Sequence, residues 1–169
     1  GRYKELIITA GGENIAPVPI ENAVKKFCPA VSNIMMVGDK RKFNCALITL
    51  KAVGASGERP GGEELDGDAK NLVPGVTTIP QACESAEYIK LVTDAIVKAN
   101  KDGSVCPSNA CKIQKFTILP MDFSVETGEL TPSLKLKRSV ATDKYANIIE
   151  AIYKSKETFV PYSSAPITE

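Results

Sequence analysis

The sequence predicts an α+β fold: a small, mostly antiparallel sheet with helices packed against it. Three observations carry this. Short β-prone runs at 4–9, 31–37, 44–50 and 113–119 alternate with stretches of helical period. Glycine and proline clusters separate the runs. The chain has 169 residues, enough for one domain with its own core.

The elements follow in order. Residues 4–9 (KELIIT) form a strand that breaks at Gly11-Gly12 and resumes at Ile15. Pro19 suits the first position of a helix whose apolar face is Ile20, Ala23, Val24 and Phe27. Cys28-Pro29 ends that helix, because the residue before a proline is pushed out of the helical region. VSNIMMV at 31–37 and NCALITL at 44–50 read as buried strands joined by the polar turn 38–42, a hairpin.

The stretch 52–80 is rich in glycine, proline and acids, and it predicts a long mobile surface loop inserted in the domain. Ile89, Val92, Ile96 and Ala99 restore helical spacing over 82–99, with Tyr88 and Ala95 on the flank. IQKFTIL at 113–119 is a further strand, and Pro120 closes it. Thr127-Gly128-Glu129 is a turn, and Thr131-Pro132 keeps the chain extended. A last helix over 142–154 turns Tyr145, Ile148, Ile149 and Ile152 inward. The domain runs over 1–153, and 154–169 is a frayed tail.

Composition excludes several chemistries. The net charge is +1, which is unlike a general polyanion binder. There is no histidine, so no Ser-His-Asp or Cys-His apparatus and no imidazole base or ligand. The five cysteines, Cys28, Cys45, Cys83, Cys106 and Cys111, lack CxxC spacing, so we expect reduced thiols and no metal site. No apolar run approaches the ~20 residues that cross a bilayer. The chain begins at Gly1, directly in a dense motif, and reads as a piece of a longer protein.

Two segments carry candidate chemistry. In the first, Gly1-Arg2-Tyr3-Lys4-Glu5 leads into the Gly11-Gly12 turn, where a backbone without Cβ atoms can approach a ligand closely. In the second, TGELTPSLKLKR at 127–138, a turn and a proline precede Lys135, Lys137 and Arg138. Such a segment can present a long cationic side chain beyond the domain. Taken singly, a Gly-Gly hairpin and a solvated basic patch are the plainer readings. KLKR also has the look of a nucleic-acid patch, but no aromatic residue is interleaved with it.

Together, GRYKELIITAGGENIAPVPIE at 1–21 and TGELTPSLKLKR resemble the two signature motifs of the C-terminal lid domain of adenylate-forming enzymes. The wording KELIITAGGENIAPVPIE, with Val31-Ser32-Asn33 and Arg41-Lys42-Phe43 after it, resembles the bubblegum-type long-chain fatty acid–CoA ligases. The resemblance runs from residue 1 to about Tyr153. It implies activation of a fatty acid through acyl-AMP to acyl-CoA, with release of pyrophosphate and AMP. ATP with Mg2+ would be bound mainly by a large N-terminal domain acting in cis, with CoA as co-substrate.

The resemblance also implies residue roles. In the family's GK-x-x-R pattern Lys135 is the adenylation lysine, although Leu134 replaces the usual glycine and Lys137 stays an alternative. Arg2 matches the nucleotide-binding arginine and Lys4 the hinge. Gly12, Glu13 and Asn14 match the loop that lines the CoA pantetheine passage. The implied location is cytoplasmic, with peripheral membrane contact left open. Two other readings stand beside it: an aryl- or acetyl-activating relative, and a non-catalytic nucleotide- or partner-binding module.

Overall fold

The structure is a computed structural model and describes residues 6–165. Arg2 and Lys4 lie outside the described residues. The α+β class is borne out. The main sheet has three strands, β3 (Val31–Val37), β4 (Asn44–Leu50) and β5 (Ile113–Ile118), in the order β3-β4-β5. β3 and β4 form the expected antiparallel hairpin, with Ile34 opposite Ile48. β5, however, runs parallel to β4, with Ala46 opposite Phe116, so this sheet is mixed. A parallel partner needs a crossover, and the long segment 51–112 provides it.

Helices cover both faces of the sheet. α1 (Pro17–Phe27) and α4 (Ala86–Asn100) lie on one face, over Ile34, Met36, Ala46, Ile48 and Leu50. α5 (Arg138–Lys144) and α6 (Ala146–Lys154) lie on the other, over Met35, Cys45 and Leu47. Alternate residues of β4 therefore enter two different cores, and every residue of β4 is buried. That explains its unbroken apolar run.

Sequence periodicity places the helices well and their ends less well. α1 begins at Pro17, not Pro19. Both prolines sit in the first turn, where backbone N–H groups have no helical partner to lose. α4 is capped by Ser85, whose hydroxyl accepts from the Tyr88 N–H at 3.1 Å. Val92, Ile96 and Ala99 of the expected stripe are buried and Ile89 is half-buried; the flanking Ala95 and Tyr88 are buried too, and Tyr88 donates to the Ala69 carbonyl at 2.8 Å. The single helix expected over 142–154 is two, α5 and α6, meeting at Tyr145.

The stretch 52–80 is not a featureless loop. It holds the short helix α2 (Gly67–Asn71), and α3 (Ile79–Glu84) starts at its end. Leu65, Ala69, Val73 and Ile79 are buried in the first core. Few apolar residues suffice to join that core, and Tyr88 of α4 ties Ala69 to it. The tail is likewise docked up to Ala165. Phe116 N–H donates to Thr158 O and Val160 N–H to Phe116 O, both at 2.9 Å, which lays 158–160 along the open edge of β5. Val160 is buried in the second core.

All five cysteines are free thiols. Burial pushes Cys45 up to about 12 and Cys83 up to about 11. Among the described residues no group of His, Cys, Asp or Glu is placed to hold a metal ion, and no helix is long and apolar enough to cross a membrane.

Candidate functional site

The two motifs build two separate clefts. The first begins with β1 (Ile7–Ile8) and β2 (Asn14–Ile15), an antiparallel hairpin with Ile7 opposite Ile15. Its turn is closed by Thr9 N–H to Glu13 O at 3.0 Å and Gly12 N–H to Thr9 O at 2.9 Å. The Thr9 hydroxyl accepts from the Glu13 N–H at 3.1 Å. Gly12 has φ +86°, a left-handed conformation that needs glycine. The hairpin leans on the 38–41 turn through Ala10 N–H to Arg41 O and Lys40 N–H to Ile8 O. α6 holds that turn in place: Arg41 pairs with Glu150, and Tyr153 donates to Phe43 O at 2.8 Å.

Gly11 and Glu13 line a cleft of about 260 Å³ with Lys42, Phe43, Ala110 and Lys112. Gly12 supplies the turn and Asn14 pairs in β2, and neither lines this cleft. The floor is fixed by Asn44, whose amide donates to Ala110 O at 2.7 Å and Lys112 O at 3.2 Å.

The second cleft lies between α1 and the segment 130–138. Lys135, Leu134, Leu136, Arg138, Glu21, Asn22 and Lys25 line about 300 Å³. The segment is a tight hairpin: Leu130 bridges Leu136, and Thr131 N–H donates to Lys135 O at 2.8 Å. Lys135 stands exposed near its tip. Lys137 is also exposed, but it lies at the cap of α5 and does not line the cleft. The two clefts share no lining residue, so the structure does not bring Lys135 and the Gly12–Asn14 loop into one site.

Two buried carboxylates anchor the lysine hairpin. At one end Arg138 makes a bidentate pair with Glu21 on α1, at 2.8 and 2.7 Å. Glu21 is 5% exposed, and its Oε2 also accepts from the Met36 N–H at 2.7 Å. At the other end Glu129, fully buried, accepts from Lys144 at 2.5 Å, the Thr127 hydroxyl at 2.5 Å and the Ser124 N–H at 3.1 Å. Sequence reasoning assigned neither carboxylate a role. Glu21 left one signal, a charged residue on the apolar face between Ile20 and Val24, but its partner lies 117 positions away.

Burial drives the Glu129 pKa up, but hydrogen bonds from Lys144, Thr127 and Ser124 outweigh it and hold the carboxyl below its ordinary 4.5. A carboxyl depressed on folding stabilises the domain fully above its unfolded pKa and loses that share as pH falls through the folded value. Glu129→Gln is therefore expected to lower stability at neutral pH and to flatten the acid limb of a stability-versus-pH curve. Denaturant midpoints measured from neutral pH into the acid range will show this, and an unchanged acid limb would contradict it.

Comparison with known proteins adds to this geometry, beginning with the segment that holds the first hairpin. Residues 4–65 match the family model of the AMP-binding enzyme C-terminal domain. The fold agrees: the adenylation domain of a carboxylate reductase from Mycobacterium chelonae superposes with a TM-score of 0.63 at 20% identity, over 91% of this chain and 20% of that one. A Segniliparus rugosus carboxylic acid reductase A domain, in complex with AMP and a co-purified carboxylic acid, gives 0.62 at 18% identity, over 90% of this chain and 20% of that one.

The sequence is most informative about the branch of the family. The chain is 43% identical over 164 residues to the long-chain-fatty-acid–CoA ligase ACSBG2 of Gallus gallus, across 94% of this chain and 21% of that protein. It is 39% identical over 163 residues to ACSBG1 of Homo sapiens, across 93% and 22%. It is 38% identical over 186 residues to the long-chain-fatty-acid–CoA ligase heimdall of Drosophila melanogaster, across 91% and 26%. The resemblance to bubblegum-type ligases is thus borne out, and the chain spans about a fifth of the length of these relatives.

Proposed function

We propose that this chain is the C-terminal lid of an ATP-dependent long-chain fatty acid–CoA ligase. In the first step the fatty carboxylate attacks the α-phosphate of ATP, forming acyl-AMP and releasing pyrophosphate. In the second, the CoA thiolate attacks the acyl carbon and AMP leaves. The lid presents Lys135 in the first step and the Gly12-Glu13-Asn14 turn in the second, rotating about Lys4, with Arg2 on the nucleotide.

The separation of the two clefts is the observation that carries this reading. A domain that serves two half-reactions in turn needs two faces, each built independently. Lys135 is favoured over Lys137 because it lines the cleft and lies one position after Leu134. Leu134 has φ +65°, the backbone conformation that explains a glycine at that place in the family pattern. Lys135 supplies a permanent cation where a carboxylate meets a triphosphate, and such preorganised charge is often the largest catalytic contribution.

ATP and CoA are substrates in this reading, and Mg2+ would be held with ATP mainly by the N-terminal domain. The same reading places the full enzyme in the cytoplasm or at a membrane surface, with no nucleic acid partner.

The test is AMP release by the full-length protein with ATP, CoA and fatty acids of graded chain length. We expect AMP release that depends on both CoA and a long acyl chain. Preference for acetate or an aryl acid would reassign the substrate. Nucleotide binding without AMP release for any acid would favour a non-catalytic module.

A further inference from the structure

The strained residue of the lysine hairpin is Leu134. A bulky L-residue rarely adopts φ near +65°, and such a conformation persists only where the surroundings over-determine it. The backbone is pinned by Leu134 N–H to Thr131 O at 2.7 Å and by Lys135 N–H to the Thr131 hydroxyl at 3.1 Å. A glycine would meet both bonds without strain. The leucine side chain is 49% exposed and belongs to neither core, so burial does not account for it.

What the side chain does touch is Gly57. A Cβ placed on Gly57 would sit 2.9 Å from one Leu134 methyl and 3.0 Å from the other, so the leucine lies directly over the glycine, whose own φ of +85° favours that residue. Gly57 lies in a hairpin over 52–65, rooted by the Ala52–Leu65 and Ala55–Pro60 bridges. That hairpin is tied to the chain just before the 127–129 turn: Val125 N–H donates to Gly57 O at 2.8 Å and Glu126 N–H to Glu58 O at 2.9 Å. One short segment thus grips the lysine hairpin by its backbone on the approach and by Leu134 near its tip.

We propose that the 52–65 hairpin belongs to the catalytic apparatus and that Leu134, held against Gly57, is a positioning residue that aims Lys135. This rests on the reading of Lys135 as the adenylation lysine. A lysine stem has four rotatable carbons, and the direction in which its Cα–Cβ bond leaves the hairpin decides whether the charge reaches the α-phosphate. Fixing φ at the preceding residue fixes that direction.

The test uses the full-length enzyme and separates the half-reactions, with Lys135→Ala as control. Leu134→Gly relieves the strain but removes the contact. It is expected to lower kcat for acyl-adenylate formation about tenfold, leaving KM for the fatty acid and the thioester step within about twofold. Leu134→Met, which restores a side chain over Gly57, is expected to recover most of the rate. Full adenylation by Leu134→Gly beside an inactive Lys135→Ala would overturn the positioning role alone. Equal loss in both half-reactions with a lowered melting temperature would reduce Leu134 to a structural residue. Full adenylation by Lys135→Ala would remove the reading on which the proposal rests, and the proposal with it.

Discussion

Lys135→Ala in the full-length protein is expected to slow acyl-adenylate formation by about 10²–10³-fold while sparing thioester formation from supplied acyl-AMP. The magnitude follows from charge. A cation about 4 Å from the reacting phosphate, at an effective dielectric of ~20, offsets about 4 kcal/mol of repulsion between two anions. At 1.36 kcal/mol per tenfold in rate, that is about three decades. In the proposed reaction the second step joins a thiolate to an acyl carbon and uses the other cleft, so a one-sided loss is expected. Pyrophosphate exchange measures the first step and acyl-CoA formation from acyl-AMP the second. Equal loss in both would remove Lys135 from its role. Lys137→Ala serves as the comparison, and a larger adenylation defect there would transfer the assignment.

The second large effect concerns Glu21. Glu21→Ala leaves the Arg138 guanidinium without its bidentate partner and the Met36 N–H without an acceptor. Breaking a buried pair from one side costs about 3–5 kcal/mol. The Arg138 side chain is 22% exposed, so water recovers part of that charge. We expect a loss of about 3 kcal/mol, with the Met36 amide included. For a domain of this size that lowers the midpoint of thermal unfolding by about 6–12 °C. Replacing both members, Glu21→Met with Arg138→Met, is expected to restore most of the stability, because both halves of the bidentate pair then give way to apolar side chains. The pair joins α1 to the start of α5, so Glu21→Ala will also loosen the cleft that holds Lys135. An unchanged melting temperature in the single variant would show that the pair holds nothing together.

Much of this was legible in the sequence because it rests on local pattern. The period of Ile20, Ala23 and Val24 marks α1, and the two apolar runs mark β3 and β4. Motif wording located one wall of each cleft, the turn at 11–13 and the hairpin at 130–138, while the facing walls come from distant segments. The misses share a cause. The parallel pairing of β5 and the docking of 158–160 depend on partners more than forty positions away, and the packing of 52–80 depends on a later helix that reaches back to it, as Tyr88 does to Ala69. Glycine and proline content reports local flexibility, and it is blind to a few apolar residues spaced to dock under Tyr88.

The absence of histidine and the near-zero charge, together with the two motifs, determined from the sequence alone what kind of chemistry this chain brings: a permanent cation and a glycine turn, with no proton-shuttling imidazole. Only the tertiary structure decided how the cation is held. Two carboxylates from distant parts of the chain are buried, each must find hydrogen-bond donors, and the resulting pairs, Arg138 with Glu21 and Glu129 with Lys144, fix the two ends of the lysine hairpin. Leu134 is the sharpest case. In the sequence it is a departure from the family's glycine, and in the fold it holds a left-handed backbone, which glycine favours, against Gly57, a contact between residues that no local pattern connects.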